Sequence, residues 1–341
     1  MQAMVVREFG EQPALQDIDL LEPSPEEILL RVEAAGVCRT DLKIRDGHVP
    51  DVPLPCVLGH EIAGTVETIG SAVTSVKVGD RGVPYGYLSC GRCAFCTDGR
   101  TSLCTEVTGR YGFGSQGGYS EYVVVPERLF VAIGDNTAID AAAVATCSMV
   151  TPYRALVRRA RVTAGETVVI VGAGGGVGLA AVQIAARMGA RVIAVDADQR
   201  REDVMRSQGA HDVVVSGPDG FAEQVRELTG GAGASAVIEL VAADQSMQDG
   251  VACLDLGGRL VLVGYRTGVD FRAVVPDLVF REIEILGSHW ASLTDVKEVL
   301  AMIDKGLLES LVMRTYPLAE AVRALEELES GEAIGRTVLV P

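Results

Sequence analysis

The spacing of apolar positions changes character near residue 150. Before it, short alternating runs (28–34, 64–70, 73–78 and 119–125) are broken by Gly, Pro and Asp. Alternation with period two puts every second side chain on one face, so these runs predict strands of a mostly β domain with long loops. After it, β-rich runs at 168–171, 192–195, 213–215, 236–238, 260–263 and 283–286 alternate with helical spacing at 177–188, 200–207, 221–228 and 245–254. Strand–helix alternation predicts a parallel sheet, because a crossover between parallel strands needs a helix that then covers a face. The tail changes style again, with helices expected over 295–305 and 319–329 and a last strand over 336–340. No repeat, low-complexity segment or flexible linker is evident.

Composition narrows this to an α/β protein of two domains. The chain has 341 residues, 48% hydrophobic but only 5% aromatic, with 39 glycines. That length exceeds one ordinary domain, and Ala, Val and Gly rather than large rings build its cores. No apolar run reaches the ~18–20 residues that span a bilayer. Residues Met1–Glu8 lack the charged-then-apolar pattern of a secretory signal. A net charge of −16 argues against nucleic-acid or anionic-membrane partners.

Eight cysteines change the picture most. Cys90, Cys93, Cys96 and Cys104 form a C-x2-C-x2-C-x7-C run in a turn-rich stretch, about 89–105. Short spacers let one tight turn present four sulfurs to a tetrahedral Zn²⁺ at about 2.3 Å. Disulfides are the alternative, disfavoured in a long chain without a secretory signal. Four thiolates close the coordination sphere, so such a zinc is structural. Cys38, His60 and Cys147 are candidates for a second zinc with an open position for water or substrate. Taken singly, each is weak evidence; Cys56 and Cys253, without ligand-like neighbours, read as small buried hydrophobes. Thiols in ligand spacing point to a reducing compartment, hence the cytoplasm.

Between strand 168–171 and helix 177–188 lies Gly172-Ala-Gly-Gly-Gly-Val-Gly178, a G-x-x-G-x-x-G over Gly172, Gly175 and Gly178. It departs from G-x-G-x-x-G because position 177 is Val. Its glycines still permit a tight turn, and N–H groups opening a helix attract a pyrophosphate. Asp196 ends the second strand, 18 residues after Gly178. A carboxylate there accepts the ribose hydroxyls of NAD and repels the extra phosphate of NADP. Capping of the helix near Asp198 is its alternative role, and Arg200 and Arg201 pull the other way on cofactor choice.

Several stretches, in order, resemble the zinc-dependent alcohol dehydrogenases of the medium-chain dehydrogenase/reductase superfamily. They are Cys38–Asp41, Gly59–Glu61, Val78–Arg81, the four-cysteine lobe, Gly117–Tyr122, Cys147 with Thr151 and Tyr153, Gly172–Gly178 and Gly335–Leu339. The resemblance implies a Rossmann doubly wound parallel sheet (151–287) plus a GroES-like mostly β catalytic domain (1–150, rejoined by 288–341). It implies two zinc ions per chain: a catalytic one on Cys38, His60 and Cys147, which Glu61 approaches, and a structural one in the lobe. It places Arg39, Thr151, Gly172, Gly175, Gly176, Val177, Gly178, Asp196, Arg201, Val263 and Arg336 on NAD.

The reaction implied is reversible hydride transfer between a primary or secondary alcohol and NAD. Thr40 stands where the family begins its proton relay, and Asp41 orients His60. The relay's outer histidine is replaced by Lys43, so Lys43, His48 or water completes the path. Tyr85 and Trp290 fall where the family lines its substrate pocket. Length and an edge strand at 283–286 beside the apolar run 274–280 suggest a homo-oligomer, a tetramer before a dimer. Two rivals stand beside this reading. One is a zinc-free quinone or enoyl reductase of the same fold, suggested by the long glycine turn. The other is a non-enzymatic binding protein that kept the fold.

Overall fold

In the structure, a computed structural model that describes residues 1–114 and 116–341, the chain divides into two units. One is Met1–Cys147 with Ala291–Pro341 and the other is Ser148–Trp290.

Unit Ser148–Trp290 is built on six strands in the order Asp212–Val215, Arg191–Asp196, Thr167–Val171, Ala234–Glu239, Leu254–Leu262, Glu284–Gly287. Every neighbouring pair is parallel. Counted along the chain this is 3-2-1-4-5-6, the doubly wound order expected of a dinucleotide fold. Its central strands, Thr167–Val171 and Ala234–Glu239, are buried almost throughout, which suits a sheet covered on both faces. The strand order reverses between these two, and ligands of such sheets bind in the crevice beyond the carboxyl ends there.

In the other unit the main sheet runs Val312–Pro317, Arg336–Val340, Glu27–Val37, Glu61–Ile69, Arg81–Pro84, Phe130–Ala132, with Tyr122–Pro126 also paired to Glu27–Val37. A smaller sheet joins Ala14–Asp17, Gln2–Val6 and Cys56–Val57. Alternate positions such as Ile28, Leu30, Val32, Ile62 and Val66 fill the core under the main sheet, together with Val123, Val125 and Leu339. The tail strand pairs antiparallel to Glu27–Val37, with Thr337 opposite Val37 and Leu339 opposite Ala35. Gly36 stands opposite Glu61 on the other side. Three strands thus end together where Cys38, Glu61 and Arg336 lie.

Some elements differ from the expected ones. Residues 73–78 form no strand; Val78 is 58% exposed, and the Glu127 carboxylate accepts the N–H groups of Thr74 and Ser75. A side chain there takes the donors that a neighbouring strand would need. The helix expected to reach Leu254 stops at Ala252, because Leu254 already pairs with Ala234 at the start of a longer strand. Gly257 and Gly258 interrupt the apolar pattern and hide that strand's first half. The helix expected from Arg200 begins at Glu202, after a single 3-10 turn over Gln199–Arg201. No helix among the described residues is long and apolar enough to cross a membrane.

Candidate metal centres and nucleotide site

Cys38 follows the longest strand and precedes helix Arg39–Arg45, while His60 immediately precedes strand Glu61–Ile69. Cys147 lies in the π-turn Ala145–Met149, a bulge of the kind that re-aims side chains at functional positions. One ligand atom each from Cys38, His60, Glu61 and Cys147 fall within 4.8 Å of one another. His60 Nδ1 is 3.0 Å from Asp41 Oδ1, which leaves Nε2 for the cluster. Asp41 is fully buried and its Oδ2 also accepts from the Cys38 backbone N–H at 2.9 Å and the Tyr119 hydroxyl at 3.0 Å. Gly36 makes room for Glu61, since a Cβ there would lie 2.2 Å from Glu61 Oε2.

The charges of this pocket are mutually adjusted. A hydrogen bond with Cys147 pulls the Cys38 thiol well below its ordinary value against burial, with His60 and Arg336 adding to the pull. The same contact drives Cys147 up. Burial raises Glu61 to about 7 although Arg336 opposes it. Burial lowers His60, but Asp41 more than compensates and holds it well above the usual histidine range. Two thiols, an imidazole and a carboxylate are the donor set of a zinc or similar transition-metal site. Among the described residues, Glu61 Oε2 and Arg336 Nε are buried without a hydrogen-bond partner. An orphaned oxygen on a carboxylate that belongs to such a set is what a cation would satisfy, so these residues fit the implied metal.

The lobe fits a second. Cys90 and Cys104 sulfurs are 3.6 Å apart, Cys93 and Cys104 3.9 Å, and Cys90 and Cys96 4.0 Å. A Zn–S bond of about 2.3 Å predicts tetrahedral edges of ~3.8 Å, whereas a disulfide needs ~2.05 Å. Backbone N–H groups of Arg92 and Cys93 point at Cys90 Sγ, and those of Cys90 and Glu106 at Cys104 Sγ. Such bonds favour thiolates: those from Cys96 and Thr105 bring Cys93 to about 6. Cys56 and Cys253 lie apart, fully buried, each pushed up by burial to about 12.

In unit Ser148–Trp290 the glycine turn joins strand Thr167–Val171 to helix Gly176–Arg187, with Gly175 as its N-cap. Gly178 cannot be larger, because a Cβ would meet Gly172 O at 2.1 Å. Gly172 itself has φ +79°, a left-handed conformation that only Gly adopts without cost. Asp196 Oδ2 accepts from Gly174 N–H at 2.8 Å and Oδ1 from Asp198 N–H at 3.0 Å. The capping role belongs to Asp198, which accepts from the Arg200 N–H and pairs with the Arg200 guanidinium at 2.8 Å. Arg201 Nη1 donates to Gly174 O at 3.1 Å. Val263 follows strand Leu254–Leu262, its N–H on Glu239 O at 2.9 Å. Thr151 Oγ1 is buried without a hydrogen-bond partner among the described residues.

Tyr85 is fully buried, donating to Ala291 O at 2.9 Å and accepting from Thr101 Oγ1 at 2.8 Å. These two bonds tie it to Thr101 and Ala291, as a buried phenol requires. Trp290 is half-buried with φ +43°, rare for a bulky residue. Arg39 Nη2 donates to Leu328 O at 3.2 Å. Arg336 is 5% exposed with its guanidinium on Glu61, so it is no surface charge. Thr40 and Lys43 are half-buried on helix Arg39–Arg45. The sequence reading missed Tyr119 and Arg110; Arg110 could have been found as a lone cation among turn-formers beside Tyr111 and Phe113.

The chain is similar to known proteins over its whole length. The family described as "Alcohol dehydrogenase GroES-like domain" matches residues 24–135, and "Zinc-binding dehydrogenase" matches residues 176–305. A protein named NAD-dependent alcohol dehydrogenase from Sulfurisphaera tokodaii is 35% identical, with 100% of both chains covered. An alcohol dehydrogenase of Geobacillus stearothermophilus is 34% identical over 99% of each chain. The solved structure of a thermostable alcohol dehydrogenase from Pyrobaculum aerophilum superposes with TM-score 0.90 at 33% identity. It covers 100% of this chain and 99% of that one.

Proposed function

This chain belongs to the zinc-dependent alcohol dehydrogenases of the medium-chain dehydrogenase/reductase superfamily, and from that premise we propose how its residues divide the work. It interconverts a primary or secondary alcohol and its aldehyde or ketone, with NAD as hydride partner. The convergence of Cys38, His60, Glu61 and Cys147 at one end of the main sheet carries this reading. When bound, zinc supplies a Lewis acid that polarises the reacting oxygen, and NAD supplies the hydride acceptor.

Everything else is supplied by the chain. Cys38, His60 and Cys147 hold the catalytic zinc, and Glu61 stands close enough to approach it. Asp41 fixes the His60 ring and keeps Nε2 turned inward. Arg336 neutralises Glu61. The Thr40 hydroxyl takes the first proton, and Lys43 passes it outward. Cys90, Cys93, Cys96 and Cys104 hold a second, structural zinc, giving two per chain. The N–H groups that open helix Gly176–Arg187 receive the pyrophosphate, and Asp196 receives the ribose hydroxyls. Thr151, Val263 and Arg201 complete the cofactor site in unit Ser148–Trp290.

The chain works as a homo-oligomer, preferably a tetramer. Support comes from Val274, Val275, Val279 and Phe280, which are 61%, 66%, 62% and 83% exposed beside the edge strand Glu284–Gly287. A cytoplasmic location is supported by eight unbridged cysteines. Metal analysis together with a panel of alcohols and NAD tests the whole reading. Two zinc ions and NAD-linked oxidation are expected; a metal-free protein that reduces quinones or enoyl compounds would replace it with the rival.

A further inference from the structure

We propose that Arg110 recognises an anionic group, carboxylate or phosphate, on the alcohol or carbonyl compound that reacts at the Cys38–His60–Glu61–Cys147 cluster. The proposal rests on that cluster being the reaction centre. Phe113 packs against the His60 ring with centroids 5.9 Å apart. On Phe113, in turn, lies the Arg110 guanidinium, 4.6 Å from the ring centre, and it also lies 5.7 Å from the Tyr87 ring. Tyr87 and Arg110 face each other across a β-bridge. A half-buried cation is therefore held one aromatic ring away from a candidate metal ligand.

What it lacks is a counter-ion. The chain has 46 acidic residues against 30 Lys and Arg, and several of its more buried arginines use them. Arg45 pairs with Asp46 and Glu329, Arg259 with Glu166, and Arg336 with Glu61. Among the described residues no carboxylate lies within ion-pair distance of Arg110. The nearby carboxylates are already engaged, Glu61 by Arg336 and Asp41 by three donors. Two thiolates would balance a divalent ion, so the charge of Arg110 is not offset by the metal site either. Aromatic faces grip a guanidinium by its plane and leave its in-plane N–H fork directed outward, the geometry that matches a carboxylate or phosphate. A neutral alcohol offers that fork nothing.

Three matched compounds test this: 1-butanol, 4-hydroxybutanoate and 4-hydroxybutyl phosphate, with wild type, Arg110→Gln and Arg110→Lys. Wild type is expected to favour one anionic compound over 1-butanol in kcat/KM, the two arms telling carboxylate from phosphate. In Arg110→Gln that preference should fall roughly 10- to 100-fold, the scale of a lost charge-assisted hydrogen bond. Arg110→Lys, which keeps the charge without the fork, should retain part of it. Calorimetric binding of the same compounds reads the site without turnover. Arg110-dependent anion binding in a protein that turns over no alcohol or carbonyl compound would sink the dehydrogenase reading, and with it the substrate role of Arg110, leaving only an anion site. Equal affinity for 1-butanol and both anions, or an anion preference untouched in Arg110→Gln, would overturn it.

Discussion

Asp41 Oδ1 lies 3.0 Å from His60 Nδ1, and the second oxygen of the same carboxylate accepts from the Cys38 backbone and the Tyr119 hydroxyl. One buried side chain thus orients two candidate ligands from different strand ends. Asp41→Asn should therefore weaken metal retention and cut turnover about 10- to 100-fold, the usual cost of losing a ligand-orienting carboxylate. Zinc content after dialysis against a chelator, measured beside kcat, checks it; full retention with normal turnover would refute the assignment.

Cys93→Ser should release the lobe's metal and lower thermal stability while leaving the other zinc bound. The lobe's four sulfurs lie within 4.8 Å of one another, with no ligand shared with the Cys38 cluster. A folded variant that still carries two zinc ions would contradict the lobe assignment.

Cofactor choice follows from Asp196, whose carboxylate stays at the strand end while Asp198 engages Arg200. NAD should be preferred to NADP, and Asp196→Ala should erode that preference by weakening NAD and removing repulsion from a 2′-phosphate. The ratio of kcat/KM values for the two cofactors reads this directly. A wild-type preference for NADP would assign the pocket to Arg201 instead.

The outer proton step is assigned to Lys43, whose carbonyl also accepts the His48 N–H at 2.8 Å. An ordinary lysine titrates near 10.4 and a histidine near ~6.5, so Lys43→His should shift the pH profile of oxidation toward neutrality. Lys43→Ala should slow oxidation and be partly rescued by small amine buffers. A raised KM for NAD with an unmoved pH profile would make Lys43 a cofactor-attracting charge instead.

Alkaline stability should report Cys253. Burial raises its thiol from 9.0 to about 12, so the folded state keeps a proton that the unfolded chain releases. Its contribution is fully present below pH 9.0 and is lost as pH climbs toward about 12. Removing the thiol in Cys253→Ala should flatten the fall in stability across that window by roughly 1 kcal/mol per pH unit. Denaturant melts at about pH 8 and about pH 11 would show it; parallel losses in both proteins would refute it.

The amino-acid order by itself determined the elements and the chemistry that is local. Strand–helix alternation after residue 150 is a pattern of neighbouring residues, so the doubly wound sheet could be read from it. The lobe's four cysteines lie within fifteen positions and the glycine turn within seven, close enough for spacing alone to imply one metal and one anion. Tertiary structure decided what long-range register controls. Only pairing of the tail strand with Glu27–Val37 sets Arg336 beside Glu61 and Cys38, and only the β-bridge to Tyr87 sets Arg110 over Phe113 and near His60. Tyr85 lies beyond the reach of pattern for the same reason, since burial of an aromatic depends on partners at Thr101 and Ala291. Periodicity reports which face of an element is apolar; which distant charge that face meets is fixed by how strands from opposite ends of the chain align.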